Sequence, residues 1–201
     1  MMKTLIIDTA SKNLYVILLD KDTIYKQVVM DSQLTHSVIL NQTVGEVLQY
    51  AKITLDQVDT FAVNVGVGSF TGIRVAISTV KGYNFALNKK LIEVNSLTTL
   101  AYTKQGRVNC LYDAGKGYYF ACYDKSTVII KPTLIKETQA KEYLKEENTV
   151  VFDPMVDYSQ QIINQVKDKI ALKQFSETLT PLYIRVCQAE EERKKNEFCS
   201  T

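Results

Sequence analysis

Imidazole is almost absent: the 201 residues contain one histidine, His36. A Ser-His-Asp triad would have to use it, and no G-x-S-x-G elbow offers the serine, so hydrolase or peptidase chemistry lacks its parts. The cysteines are Cys110, Cys122, Cys187 and Cys199. None forms a C-x-x-C pair, which argues against a zinc ribbon or a dithiol redox site. No apolar run approaches the roughly 20 residues of a membrane-spanning helix. The opening Met1-Met2-Lys3-Thr4-Leu5-Ile6-Ile7 meets Asp8 too early to serve as a signal-peptide core. The expectation is therefore a soluble cytoplasmic protein with reduced thiols and no membrane contact. Charge of one sign is also scarce. A formal net charge of +2 is too small for a dominant electrostatic grip on nucleic acid, which needs several clustered cations.

What is present is ordinary globular material, 46% hydrophobic and 23% charged, with no repeat or low-complexity segment. Three short strands are predicted at 5–7, 14–19 and 23–30, joined by polar turns that suit an antiparallel meander. Apolar residues then recur at helical spacing through Leu40, Val44, Val47, Leu48 and Ala51. They predict a helix over about 33–52, with Asp31 or Ser32 able to cap it. Leu34, Val38 and Ile39 broaden its apolar surface. Two readings fit: a helix buried on two sides within its own lobe, or one face docking a partner. A strand at 59–65, a helix over about 71–88, a strand at 91–94 and a short helix capped by Asn95-Ser96 complete the first half. This order suits a mixed sheet flanked by helices. The second half predicts strands at 108–112, 118–123 and 127–130, the last stopped by Pro132. A helix at 137–145, a short strand at 150–152 and a helix at 160–172 follow. The tail at 189–195 reads as a solvated or frayed helix. The lobe boundary falls near 95–106, dividing the chain into 1–102 and 103–201.

The most informative stretch is Gly66-Val67-Gly68-Ser69-Phe70-Thr71-Gly72-Ile73-Arg74, between a strand and a helix. Glycine permits positive φ and close approach of another group. Ser69 or Thr71 can cap the helix. Free N–H groups of its first turn attract anions, and Arg74 can add a bidentate donor. The stretch is neither a Walker A loop, since G-x-x-x-x-G-K-S/T is absent, nor a dinucleotide fingerprint, since Gly72 falls one residue late. Spacing alone leaves a phosphate turn and a tight packing turn both open.

This stretch closely resembles the GPGSFTGIR signature of the TsaB (YeaZ) family. Further segments agree: Leu5-Ile6-Ile7-Asp8-Thr9-Ala10, Lys81-Gly82, Val94-Asn95-Ser96-Leu97, Asp113-Ala114 and Pro181-Leu182-Tyr183-Ile184-Arg185. The resemblance spans the chain and is dense in residues 1–105. It implies an α/β ASKHA fold (actin-like ATPase, RNase H-like) of two lobes, with mixed sheets flanked by helices. It also implies an accessory subunit of tRNA threonylcarbamoyladenosine synthesis that is not itself catalytic. Such a subunit pairs through its first lobe with a TsaD-type catalytic subunit, which modifies the adenosine beside the anticodon. A TsaE-type ATPase then engages the complex, and tRNA is met only indirectly. On this reading the helices at 33–52 and 71–88 are the docking surface, and they can pair as a homodimer when the partner is absent. No cofactor is required. Asp8 with Gly66, Gly68, Ser69, Thr71, Gly72 and Arg74 are the candidates for ATP or ADP, with magnesium, at a subunit interface.

The chain departs from the family in places. Val67 replaces the proline, and Gly115 replaces the arginine after Asp113-Ala114. Asp113-x-Gly115-x-Gly117 is read as a hairpin in preference to a second phosphate turn. TsaD-type proteins carry a metal-binding His-x-x-x-His where this chain has Ser96 and Leu100, and neither can replace imidazole as a ligand. The rival reading is a small phosphotransferase or ATPase, with Asp8 and Asp113 placing magnesium. Asp8-Thr9-Ala10 lacks the glycine such a turn usually carries.

Overall fold

The computed structural model describes residues 2–21, 23–31 and 35–184. The first half forms β1 (Thr4–Asp8), β2 (Leu14–Asp20), β3 (Thr23–Val29), α1 (His36–Tyr50), β4 (Thr60–Asn64), α2 (Phe70–Leu87), β5 (Lys90–Val94) and α3 (Ser96–Ala101). The strands build a five-stranded sheet in the order β3-β2-β1-β4-β5. The meander β1-β2-β3 is antiparallel. β4 and β5 join in parallel, because α1 and α2 carry the chain back between them.

Every residue of β1 and β4 is buried, which explains their unbroken apolar character: both faces of the sheet are covered. Alternate residues serve opposite faces. Leu5, Ile7, Val16, Leu18, Phe61 and Val63 pack with α1 and α2. Ile6, Ile17, Leu19 and Ala62 face a second core. Fully burying a side chain such as Phe61 contributes roughly 1.5–3 kcal/mol, so sliding β1 by one residue would reverse both cores.

The second half forms β6 (Arg107–Asp113), β7 (Tyr118–Asp124), β8 (Thr127–Ile135), α4 (Glu137–Tyr143), β9 (Thr149–Val151) and α5 (Ser159–Ala171). Its sheet runs β8-β7-β6-β9, with β9 parallel to β6. Val108, Cys110, Ala121 and Tyr123 share a core with Leu97 and Leu100 of α3 and Ile162, Ile163 and Val166 of α5. The two sheets therefore enclose α3 and α5, with α1 and α2 outside the first sheet and α4 against the second.

Polar bonds tie the lobes as well. Asn13 Nδ2 donates to the Pro154 carbonyl at 2.8 Å, Lys26 Nζ lies 3.2 Å from Asp157 Oδ2, and the Asn95 N–H donates to Gln165 Oε1 at 2.9 Å. After α5 the chain returns to the first sheet. The Ser176 N–H donates to the Leu91 carbonyl at 2.8 Å and the Leu182 N–H to the Val65 carbonyl at 2.7 Å.

Some local expectations are corrected. β8 continues through Pro132 instead of stopping there. It is an edge strand with register shifts opposite Phe120–Tyr123, where a missing N–H breaks no necessary ladder bond. The N-cap of α1 is Thr35, without a side-chain cap bond, whereas Asp31 adopts positive φ and Ser32 lies outside the described residues. The tail helix expected at 189–195 and Arg185 also lie outside them. No helix among the described residues is long and apolar enough to cross a membrane.

Candidate functional site

The site grows from two turns facing each other at the ends of β1 and β4. In the first, Asp8 Oδ1 accepts the Ala10 N–H at 2.8 Å, the local bond that makes aspartate a turn residue. In the second, Ser69 caps α2, its hydroxyl accepting the Gly72 N–H at 3.2 Å. The turns are stitched together. The Ser69 N–H donates to the Ala10 carbonyl at 2.6 Å, and the Thr9 hydroxyl donates to the Gly72 carbonyl at 2.6 Å. A Cβ on Gly68 would sit 2.0 Å from the Ala10 oxygen, and one on Gly72 would sit 1.9 Å from the Thr9 oxygen. Both glycines are thus used by the chain's own backbone. Thr71 is exposed at the start of α2.

Behind the turns lies a buried polar network. Asn64 Nδ2 donates to Asp8 Oδ2 at 2.7 Å and to Ser96 Oγ at 2.9 Å. Asn64 Oδ1 accepts the Gly66 N–H at 2.9 Å, and Ser96 Oγ donates to the Val67 carbonyl at 2.6 Å. The Gly66–Val67 peptide is cis. Burial pushes the Asp8 carboxyl above its ordinary value, against the lowering effect of the bonds from Asn64 and Ala10. The space beside Asp8, Asn64 and Ser96 amounts to about 10 Å³, room for no more than about one water. With both carboxylate oxygens engaged and the glycine turn filled by carbonyls, these residues do not fit a magnesium-bound polyphosphate.

Arg74 is engaged elsewhere. Its Nε donates to Tyr183 Oη at 3.1 Å, and its guanidinium stacks 3.7 Å from the centroid of the Phe70 ring. The expected cluster therefore divides: Asp8, Gly66, Gly68, Ser69 and Gly72 come together, while Arg74 belongs to a surface stack at the C-terminal return.

Outside this network an open cleft of about 470 Å³ separates the two sheets. Ala10, Ser11, Lys12, Gly68 and Ser69 form one side, and Tyr112, Asp113, Tyr119 and Phe152 the other. Asp113 begins the β6–β7 hairpin. Its Oδ1 accepts the Gly115 N–H at 2.7 Å, and the Ala114 N–H donates to the Gly117 carbonyl at 3.0 Å. The hairpin reading of this turn holds.

The sequence model of the family described as "TsaD: tRNA N6-adenosine threonylcarbamoyltransferase" matches residues 30–188. Among curated relatives, the Bacillus subtilis tRNA threonylcarbamoyladenosine biosynthesis protein TsaB is 28% identical over 122 residues, 59% of this chain and 53% of that protein. The Haemophilus influenzae TsaB is 34% identical over 70 residues, 35% of this chain and 30% of that protein. The chain belongs to the TsaB (YeaZ) family. Its match to these curated relatives spans about half their length or less. YeaZ from Pseudomonas aeruginosa superposes with a TM-score of 0.77 at 23% identity, covering 91% of this chain and 100% of that one. That likeness shows the shared ASKHA fold.

In this TsaB-family chain His36 opens α1 and is buried. It is 2% exposed, and burial lowers its pKa against the raising effect of a bond with the Lys12 backbone. Sequence reasoning missed Asn64 and the structural use of Ser96. A signal was available: Asn64 interrupts the apolar run 61–65, and an amide in a central strand needs buried partners.

Proposed function

We propose that the chain is a non-catalytic accessory subunit of tRNA threonylcarbamoyladenosine modification, which binds and orders a TsaD-type catalytic subunit. The outer face of α1 and α2 is the docking surface. The observation that carries this reading is the apolar surface these helices leave outside their own core. Phe85 is 95% exposed, Tyr50 77% and Val38 76%. Val38, Asn41, Gly45 and Gln49 recur along the exposed face of α1, and Ser78, Gly82 and Phe85 along that of α2. Gly45 and Gly82 have nothing within 4 Å of a Cβ position. A mid-helix glycine costs roughly 0.5–1 kcal/mol, and nothing among the described residues uses either gap; closely approaching partner helices would. The helices are already braced, Tyr83 Oη donating to Asn41 Oδ1 at 2.5 Å.

The saturated Asp8 network supports the non-catalytic part of the reading, as do Ser96 and Leu100 in place of a histidine pair. No cofactor is required on this chain, and any ATP, ADP or magnesium the assembly uses is held at a subunit interface. A TsaE-type ATPase engages the complex, tRNA is met through the catalytic partner, and the same helices pair two copies when the partner is missing.

The test is co-purification with the TsaD-type protein of the same genome, with the mass read by light scattering. A stable complex is expected. Phe85→Glu should abolish it while changing stability by no more than about 0.5 kcal/mol. Ile77→Glu, which places a charge in the core, should unfold the lobe. Equal unfolding by both variants, or a complex indifferent to Phe85→Glu and Val38→Glu, would remove the docking surface.

A further inference from the structure

The edge strand of a sheet leaves backbone N–H and C=O groups unpaired, and folds cover, shorten or charge such edges. The two sheets have four edges, β3, β5, β8 and β9. β5 is crossed by the C-terminal return, the Ser176 N–H donating to the Leu91 carbonyl at 2.8 Å. β9 has three residues. β3 is tied to the second lobe through Lys26, whose Nζ donates to Ser159 Oγ at 2.9 Å. β8 is different. At nine residues it is the longest strand among the described residues, and seven of the nine are exposed. Val128, Ile129 and Ile130 run consecutively along it, 50%, 43% and 40% exposed. Consecutive residues point to opposite faces, so this apolar surface lies open on both sides of the strand.

Shape and charge narrow the occupant. The register of β8 shifts opposite Phe120–Tyr123, and Pro132 offers no N–H. Both features stop a long ladder and leave residues 127–131 as the usable window, roughly 16 Å at about 3.3 Å per residue. Lys131 lies in that window, with Lys125 in the turn before β8 and Lys136 directly after it. All three are exposed, and none enters an ion pair among the described residues. The carboxylates beside the two ends are already matched. Asp124 stands opposite Arg107 of β6, and Glu137 lies 3.7 Å from Lys141. β8 itself carries no carboxylate. A second copy pairing through β8 would therefore add lysine to lysine, which is destabilising. An anionic lipid surface matches the charge but leaves the outward N–H and C=O groups of the strand without partners in register; an extended acidic chain matches both.

We infer that β8 is a docking edge for an extended acidic segment of a partner protein, which adds a short strand along residues 127–131. Backbone bonds supply the fit, Val128, Ile129 and Ile130 supply apolar contact, and the lysines select carboxylates. The contact is small and its charges are exposed, so it is weak and salt-sensitive. The edge belongs to the second lobe and shares no residue with the outer face of α1 and α2, so its failure and that of the docking surface are distinguishable.

The experiment follows the backbone amides of Val128, Ile129, Ile130 and Lys131 by NMR in the full chain. The probes are a short end-blocked peptide of alternating valine and glutamate, its valine–lysine counterpart, the acidic peptide with its backbone nitrogens methylated, and vesicles of phosphatidylglycerol and phosphatidylcholine. The acidic peptide should shift these amides and slow their hydrogen exchange, and the lysine peptide should not. Methylation removes the peptide's donors while keeping its charge, and should abolish binding. Lys131→Glu changes an exposed side chain and should leave the fold intact while weakening the acidic peptide by about tenfold. No shift from the acidic peptide, equal shifts from the lysine peptide, or unchanged affinity in Lys131→Glu would overturn the inference. A methylated peptide that binds as well as its parent would overturn it too, reducing the contact to charge alone. Vesicles that shift these amides where the acidic peptide does not would assign the edge to a membrane surface instead. Shifts that follow protein concentration without any peptide would assign it to a second copy.

Discussion

The turns at 66–72 and 113–117 are written in nearly the same alphabet: two or three glycines, an aspartate close by, and a strand leading in. Around the first, a Cβ on Gly68 or Gly72 would lie 2.0 or 1.9 Å from a backbone oxygen, and the nearby Asp8 is buried with both oxygens bonded. In the second, a Cβ on Gly115 would meet nothing within 4 Å, and Asp113 is exposed and bonded within its own turn. The difference is that the first turn meets another turn from a distant part of the chain, while the second closes a local hairpin. A glycine's meaning is therefore set by what stands opposite it, which motif spacing does not contain.

Gly72→Ala should break this contrast most severely. Alanine ordinarily improves a helix by roughly 1 kcal/mol over glycine. Here its methyl would collide with the Thr9 oxygen, a backbone atom fixed by the Thr9–Gly72 and Ser69–Ala10 bonds. Overpacking against backbone should outweigh the propensity gain and cost about 3 kcal/mol net. Urea denaturation followed by circular dichroism measures it. A loss below about 1 kcal/mol would mean that the two turns separate readily and that the glycines are available to a ligand.

Asp8 gives the next largest effect. Asp8→Ala strips the acceptor from the Asn64 amide and the Ala10 N–H, two buried donors, and should cost about 2–4 kcal/mol. Asp8→Asn supplies a pH test. Burial raises the folded-state pKa of Asp8 above 3.8, so the folded protein holds this proton more tightly than the unfolded chain. The associated stability is fully present below the unfolded pKa and is lost as pH rises through the folded one. The stability of the wild type relative to Asp8→Asn should therefore fall as pH rises through that window. A rise would mean that the bonds from Asn64 and Ala10 outweigh desolvation.

Much of this was legible in the sequence. Short runs of strand formers between polar turns marked the meander, the change to helical spacing marked α1 and α2, and Ser69 and Asn95 are the caps that their positions suggested. These signals are local. The closure of the glycine turn depends on Thr9, some 60 residues away, and the capture of Arg74 depends on Tyr183, farther still. Neither leaves a periodic trace. Pro132 misled because a proline ends a central strand but not an edge strand, and edge position is a property of the whole sheet. The stack of Tyr112, Phe152 and Tyr158 leaves no local trace for the same reason: the three rings come from separate elements that only the tertiary fold aligns.

The smallest effects separate the glycines of the hairpin itself. Gly117 has φ near 99° and would place a Cβ 2.4 Å from the Ile135 oxygen of β8. Gly117→Ala should cost about 2 kcal/mol, since it combines an unfavourable φ with a backbone clash. Gly115 has φ near 74° with open space around it, so Gly115→Ala carries only the left-handed penalty, about 1 kcal/mol. Thermal melts of the two variants rank them directly. If Gly115→Ala were the worse of the two, conformation rather than contact would govern the hairpin. Its likeness to the turn at 66–72 would then extend no further than the presence of glycine.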